Sequence, residues 1–356
     1  MKKVIAFLLA AIICIFAFAG CNSTENLPSG NQSTGNSENN SNTNSEGTGD
    51  NMNKEETVFY HDLDDSLKVS DLDIYVQRHT ADKIVTYKST PKEDLKLCYY
   101  FPKNYNKNNK YPVFMVIHGG GWASRNTMKD QTEWSGDYLG YLARYYAEKG
   151  FLSVVTTYGL LQSTDTQNEE RQLIDLYTDC QDAMNYVADH AAEYGADLSN
   201  VTLLGESAGG HLAAGMATNS YSENRLKLRT AILVNPITNL YFDKWGKGTP
   251  DSSTRKPLEG MDKTEISKAM SPLHNITKDT PNTLLIHGSI DSVVDLSHST
   301  MFNEKMQEIG NKSELHVLNG ANHAFLLREY YPEPEYTILG VKIIDDYFTK
   351  NNIMPK

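Results

Sequence analysis

Cysteine is scarce in this chain. Four stand among 356 residues, none in Cys-x-x-Cys spacing, so the sequence carries neither a disulfide scaffold nor a thiolate redox or zinc centre. No block of Lys and Arg appears either. The 33 basic residues face 45 acidic ones for a net charge of −12, which excludes nucleic acid as a partner, because neutralising a phosphate backbone needs clustered cations. The longest apolar run, residues 4–19, falls short of the roughly 20 residues a membrane-spanning helix needs. No internal repeat is visible, and no ligand cluster implies a metal or another cofactor. Hydrophobic residues nonetheless make up 39% of the chain, enough for one large core.

The first 53 residues read differently from the rest. Lys2 and Lys3 precede the apolar run, and Gly20 and Cys21 close it, which is the order of a secretory signal. The ending Phe18-Ala19-Gly20-Cys21 resembles a bacterial lipoprotein processing site, with Phe18 where Leu is usual. That resemblance implies removal of residues 1–20 and lipidation of Cys21, with an ordinary signal peptide or an uncleaved anchor as the alternative. From residue 22 to 53, 25 of 32 residues are Asn, Ser, Thr, Gly or Gln, a composition that cannot bury enough surface to offset its ordering entropy. Residues 21–53 are therefore predicted to be a disordered tether. It would hold the domain of residues 54–356 off the outer face of a bacterial membrane, touching that membrane only through its lipid.

Beyond residue 82 short β-branched runs alternate with longer amphipathic stretches. The pattern predicts strands at residues 84–88, 95–101, 113–118, 152–157, 201–205, 231–235, 284–287 and 315–318. Helices are predicted at residues 138–149, 170–194, 208–219, 295–309 and 335–349. Such alternation builds a mostly parallel sheet, here of eight strands, with helices on both faces. The first two strands have no helix between them and are expected to pair antiparallel at an edge. In the helix at 170–194, Leu173, Leu176, Tyr177, Cys180, Met184 and Val187 recur at helical spacing and form one apolar stripe. Cys98 and Cys180 both sit in apolar patterns and are expected to be buried free thiols. Residues 241–265 lack a period and carry several Gly and Pro, as a cap over a site or a surface excursion would.

Chemistry concentrates where strands end. Gly205-Glu206-Ser207-Ala208-Gly209-Gly210 follows one predicted strand and opens a helix. A Gly-x-Ser-x-Gly turn in that context exposes a serine hydroxyl at a helix N-terminus, with glycines where side chains would collide with backbone. His118-Gly119-Gly120-Gly121-Trp122 ends another strand. Its glycines let backbone N–H groups approach a developing oxyanion, with Gly120, Gly121 and Ala208 the best donors. A phosphate loop is the competing reading, but no Lys-Ser or Lys-Thr pair follows. His118 reads as a structural residue of that loop.

A serine is a weak nucleophile until a base takes its proton and a carboxylate orients the base. Asp291 lies just after the strand at 284–287, and His323 follows the strand at 315–318, so both fall at the sheet's carboxyl edge. Asp295 is a rival acid, although its place before a helix suits a cap. His211, one helical turn beyond Ser207, is expected to pack or cap, and His287 to be buried. Trp122, Tyr158 and Trp134 are candidates for lining a pocket, with core packing as the alternative for each.

Together these motifs resemble the α/β-hydrolase superfamily over about residues 82–350. Within it they are similar to carboxylesterases related to bacterial hormone-sensitive lipases, and to the subgroup named for bifunctional feruloyl and acetyl xylan esterases. The resemblance implies Ser207 as nucleophile, His323 as base, Asp291 as its partner, and Gly120, Gly121 and Ala208 as oxyanion donors. It also implies a small-molecule or oligosaccharide ester as substrate. Three positions depart from the subgroup: Glu206 stands for Asp, Gly159 for the Arg of a Tyr-Arg pair, and Asp295 for Pro. The missing arginine would leave a contact near the site unmade. A serine peptidase or amidase of the same fold is the main alternative. Such peptidases usually carry an extra amino-terminal domain, for which residues 54–82 leave little room. A non-catalytic surface binding lipoprotein is the other.

The amino-terminal reading predicts that the protein partitions with membranes and labels with palmitate. A Cys21→Ser variant should lose both properties, as followed by metabolic labelling and fractionation. Retained acylation would refute the anchor.

Overall fold

The structure is a computed structural model that describes residues 57–64, 66–68, 71, 80–123, 139–161, 171–221, 224–240, 265–327 and 333–355. The signal at 1–20, Cys21, the tether at 21–53, Trp134 and residues 241–264 all lie outside the described residues. Among those described, no helix is long and apolar enough to cross a membrane.

Nine strands form one sheet in the order β1-β9-β8-β7-β6-β4-β5-β3-β2. They are β1 (Val58–His61), β2 (Lys83–Ser89), β3 (Asp94–Tyr100), β4 (Tyr111–Ile117), β5 (Leu152–Thr156), β6 (Ala196–Glu206), β7 (Thr230–Val234), β8 (Asn282–Gly288) and β9 (Ser313–Leu318). Among the described residues the α-helices are α1 (Gly140–Glu148), α2 (Leu173–Asp189), α3 (Ala191–Tyr194), α4 (Ala208–Thr218), α5 (Glu265–Ala269), α6 (Ser297–Ile309) and α7 (Pro334–Lys350). As expected, β2 and β3 pair antiparallel at one edge, β3 continues antiparallel onto β5, and the remaining pairs are parallel.

The alternation of side chains through the central strands explains the two-faced packing. On β4, Val113, Met115 and Ile117 point into the core that includes Leu176, Cys180 and Leu212. Phe114 and Val116 point to the opposite core, with Leu142, Ile344 and Phe348. A strand buried on both sides needs apolar residues at every position, and all of residues 112–117 are buried. The predicted stripe on α2 is buried throughout, and Cys98 and Cys180 are free buried thiols.

Besides shifts of one to three residues at other element ends and the unexpected α5, three departures from expectation stand out. The sheet has nine strands instead of eight, because residues 58–61 pair parallel with β9, Val58 opposite Leu315. Four residues with Tyr60 67% exposed carry no readable period, and only the partner strand makes them a strand. β6 begins at Ala196, not at residue 201, since Ala196 and Asp197 pair with Tyr111 and Pro112 ahead of an irregularity in the ladder. The long helix breaks at His190, after which the short α3 ends on Gly195 with φ 66°.

One buried charge interrupts the apolar face of α2. The Asp179 carboxylate, with no exposed side-chain surface, accepts a hydrogen bond from the Gly159 N–H at 2.9 Å and pairs with the Arg171 guanidinium. Lys88 Nζ lies 2.9 Å from its other oxygen. Removing one partner of a buried charge network leaves the others uncompensated. Asp179→Ala should therefore cost about 3 kcal/mol in chemical denaturation, and Asp179→Asn less. An unchanged midpoint in the alanine variant would show the network to be dispensable.

Candidate active site

The carboxyl ends of β4, β6, β8 and β9 converge on Ser207. The residue has φ 55° and ψ −121°, a conformation that few non-glycine residues adopt. It is pinned from both sides: its N–H donates to the Val234 carbonyl at 2.9 Å, and its carbonyl accepts from the His211 N–H at 3.0 Å. Close approach depends on two glycines. A Cβ on Gly209 would strike the carbonyl oxygens of Ile117 and His118, and one on Gly119 would strike the Glu206 carboxylate and come within 3.2 Å of Ser207 Cβ. The loop after β4 therefore lies directly against the strand-to-helix turn.

His323 Nε2 lies 2.9 Å from Ser207 Oγ, and its Nδ1 lies 2.7 Å from Asp291 Oδ2. An ionised carboxylate only accepts, so Nδ1–H donates to Asp291 and Nε2 is left free to accept from the serine hydroxyl. The other Asp291 oxygen accepts from the N–H groups of Val293 and Val294 at 2.9 and 2.8 Å. His287 Nε2 stands 3.4 Å from Asp291 Oδ2, while also bonding the Val294 carbonyl. Burial opposes the Asp291 charge, but the hydrogen bonds from His287 and His323 outweigh it and hold the carboxyl well below its usual range. Burial likewise opposes a charged His323. Its hydrogen bond to Asp291 and the negative charges of Asp291 and Glu206 prevail, and the imidazole titrates above its usual 6.5.

Asp295, the rival acid, takes the Ser297 N–H at 2.9 Å beside the start of α6 and has the capping role its position suggested. His211 packs one turn beyond Ser207, with Nε2 2.8 Å from the Met270 carbonyl, and His287 is fully buried. His118 Nδ1–H donates to the Gly119 carbonyl at 2.7 Å, a bond internal to its own loop.

The loop carrying Gly120 and Gly121 turns through positive φ at Gly120 (100°), Gly121 (59°) and Trp122 (59°). Ala208, the third expected donor, is the first residue of α4, where backbone N–H groups lack helical partners. Tyr158 holds this loop from behind, its hydroxyl donating to the His118 carbonyl at 2.9 Å while its ring stacks on His118 at 4.2 Å. With Tyr158 at 0% and Trp122 at 1% exposure, the alternative of core packing describes both aromatics. Trp122 packs edge-on against His211 at 5.3 Å. Among the described residues, no three His, Cys, Asp or Glu side chains group as metal ligands would.

Two features were not read from the sequence. Asn322 Oδ1 accepts from the Ser292 N–H at 2.9 Å and from the His323 N–H at 2.8 Å, tying the acid loop to the base loop. Nothing in the sequence marks this except adjacency to His323. The second feature is the arginine beside Gly159, where the subgroup's pattern has its own. The Arg171 guanidinium fills the space that a side chain at Gly159 would take, and it pairs with Asp179. Asn322→Ala should lower activity about tenfold while leaving the thermal midpoint nearly unchanged, because a small displacement of a reacting group has a large effect on rate. Steady-state kinetics beside a melting curve would check this, and wild-type kcat would refute it.

Comparison with known proteins gives the family. The model of the family described as BD-FAE matches residues 97–306, a span that includes Ser207 and Asp291. A probable isoprenylcysteine alpha-carbonyl methylesterase of Arabidopsis thaliana is 24% identical over 68% of this chain and 50% of its own length. Arylacetamide deacetylase of Bos taurus is 30% identical over 46% of this chain and 39% of its own. The chain thus spans half or less of the length of these two relatives. Among solved structures, esterase 2 of Thermogutta terrifontis phosphonylated by sarin superposes with a TM-score of 0.64 at 25% identity, covering 77% of this chain and 96% of that one. The butyrate-bound form of that esterase gives 0.62 at 26% identity with the same coverage. With a family model matched over more than half its length on a fold shared with known esterases, this chain belongs to the BD-FAE family of the α/β-hydrolase fold.

Proposed function

We propose that this protein is a serine carboxylesterase that cleaves short-acyl or aryl esters through an acyl-enzyme. The observation that carries the reading is the single file of Asp291, His323 and Ser207, with hydrogen-bond distances of 2.7 and 2.9 Å. In the first step His323 Nε2 takes the Ser207 proton as Oγ attacks the ester carbonyl. The resulting oxyanion is held by the backbone N–H groups of Gly120, Gly121 and Ala208. His323 then returns the proton to the leaving alcohol, which departs as the C–O bond breaks. A water, deprotonated by the same nitrogen, attacks the acyl-enzyme and releases the acid. Asp291 stays ionised throughout, fixing the tautomer and steadying the imidazolium.

The substrate class follows from three lines of support. The family carries the name BD-FAE, the solved esterase was captured with butyrate and with propionate, and the tether reading puts the domain outside the cell. Short acyl groups on hemicellulose fragments, acetyl or feruloyl, satisfy all three. In this reading Cys21 anchors the protein to the outer face of a bacterial membrane. The name arylacetamide deacetylase keeps amide cleavage by the same residues as a second reading.

Residues 54–356 should hydrolyse p-nitrophenyl acetate and butyrate, and release acid from acetylated xylan or methyl ferulate. Ser207→Ala should reduce kcat/KM by about 10,000-fold or more. Since His323 works as the neutral base and titrates above 6.5, the acid limb of the kcat/KM profile should have its midpoint above that value. Activity confined to long-chain esters, or to anilides, would overturn the substrate assignment. Failure of wild type to label with a fluorophosphonate would overturn the mechanism.

A further inference from the structure

The turn that presents Ser207 also brings a second carboxylate to His323. Glu206 is 1% exposed, and neither of its carboxyl oxygens has a hydrogen-bond partner among the described residues. Oε1 lies 3.8 Å from His323 Nε2, too long for a hydrogen bond but close enough for its charge to act on the imidazole. Oε2 lies against Gly119, where only a glycine leaves room for it. Buried acids are nearly always bonded, and leaving one unpaired destabilises the fold. Asp291, at the other nitrogen of His323, has two backbone N–H donors and two histidines. Glu206 has none of these, and its contribution lies in the charge it presents to the base.

We propose that Glu206 is a positioning residue acting through His323, its carboxylate stabilising from the Nε2 side the imidazolium formed each time His323 takes a proton. The proposal rests on the serine esterase reading above. No proton passes to Glu206 in the cycle: it moves from Ser207 or water to Nε2, then to the leaving alcohol or back to Ser207. During its stay the positive ring is flanked by Asp291 at Nδ1 and Glu206 near Nε2. Because Nε2–H must point at the reacting oxygens, a carboxylate that hydrogen-bonded there would compete with them, whereas one at 3.8 Å does not.

The groups around Glu206 set its own charge. His323, after β9, lowers its pKa and Asp291, after β8, raises it. Burial dominates and pushes the carboxyl up to about 7. A folded-state value above the unfolded one, about 4.3, means that the neutral form stabilises the fold. That stability is present below pH about 4.3 and is lost as pH rises toward 7.

Glu206→Gln, Glu206→Asp and Ser207→Ala, compared with wild type on p-nitrophenyl acetate, test the idea. In Glu206→Gln, kcat should fall about tenfold with KM little changed, as loss of a transition-state interaction requires. Its acid limb should move down by about half a pH unit, since His323 loses a charge that raises its pKa. Its thermal midpoint at pH 8 should equal or exceed that of wild type, with the difference shrinking toward pH about 4.3. Glu206→Asp should move the acid limb back toward wild type. Wild-type kcat with an unmoved acid limb would overturn the proposal. A Gln variant that fails to fold, or melts lower while Asp restores nothing, would also overturn it and show a merely structural role. Retained activity in Ser207→Ala would instead refute the serine esterase reading, whatever Glu206 does.

Discussion

Ser207 is held in a backbone conformation, φ 55° and ψ −121°, that costs a non-glycine residue roughly 1–3 kcal/mol. The arrangement persists because its surroundings leave no alternative. β6 feeds the turn from a fully parallel neighbourhood, Val234 on β7 accepts its N–H, and α4 starts at the next residue. Gly119 and Gly209 let the β4 loop press onto it, so relaxing the turn would mean separating β4 from α4. The position of every other functional group is measured from that point. Acid and base loops reach it because β8 and β9 lie in register beside β7, and backbone bonds such as Ile290 N–H to the Ala321 carbonyl join the two loops.

Three fully buried carboxylates show how burial alone decides nothing. Asp179 is compensated by Arg171, Lys88 and a backbone N–H, and it ties the start of α2 to the chain after β5. Asp291 is compensated by two N–H groups and two imidazoles, so it remains charged and steers His323. Glu206 is uncompensated except by proximity to His323 and is pushed toward neutrality. Low dielectric raises the stakes of each charge, and the hydrogen bonds on offer determine which way the balance falls. Stability and reactivity thus draw on the same interior in opposite senses.

Much of this was legible in the chain. Ser207, Asp291 and His323 all stand immediately after β-rich runs, and parallel α/β sheets gather their ligands at that edge. The capping role of Asp295 followed from its place before α6, and the buried stripe of α2 from its spacing. Other parts were not legible for definite reasons. β1 is a strand only by virtue of β9, and the early start of β6 depends on Tyr111 and Pro112. Both depend on partners remote in sequence, which local pattern does not encode. Tyr158 and Trp122 illustrate the same limit: an aromatic beside a motif reads equally as pocket or core, and burial resolves it.

The sequence by itself determined the succession of strands from β2 to β9, the two-faced hydrophobicity of the sheet, and the residue types at each strand end. Those properties are written in short-range periodicity and in the steric demands of single turns. Tertiary structure alone decided that Arg171 fills the space beside Gly159, that Asn322 fastens two loops, and that Glu206 sits unbonded against His323. Each of these is a distance between groups on different elements. Close packing of the sheet fixes such distances, while spacing along the chain leaves them free.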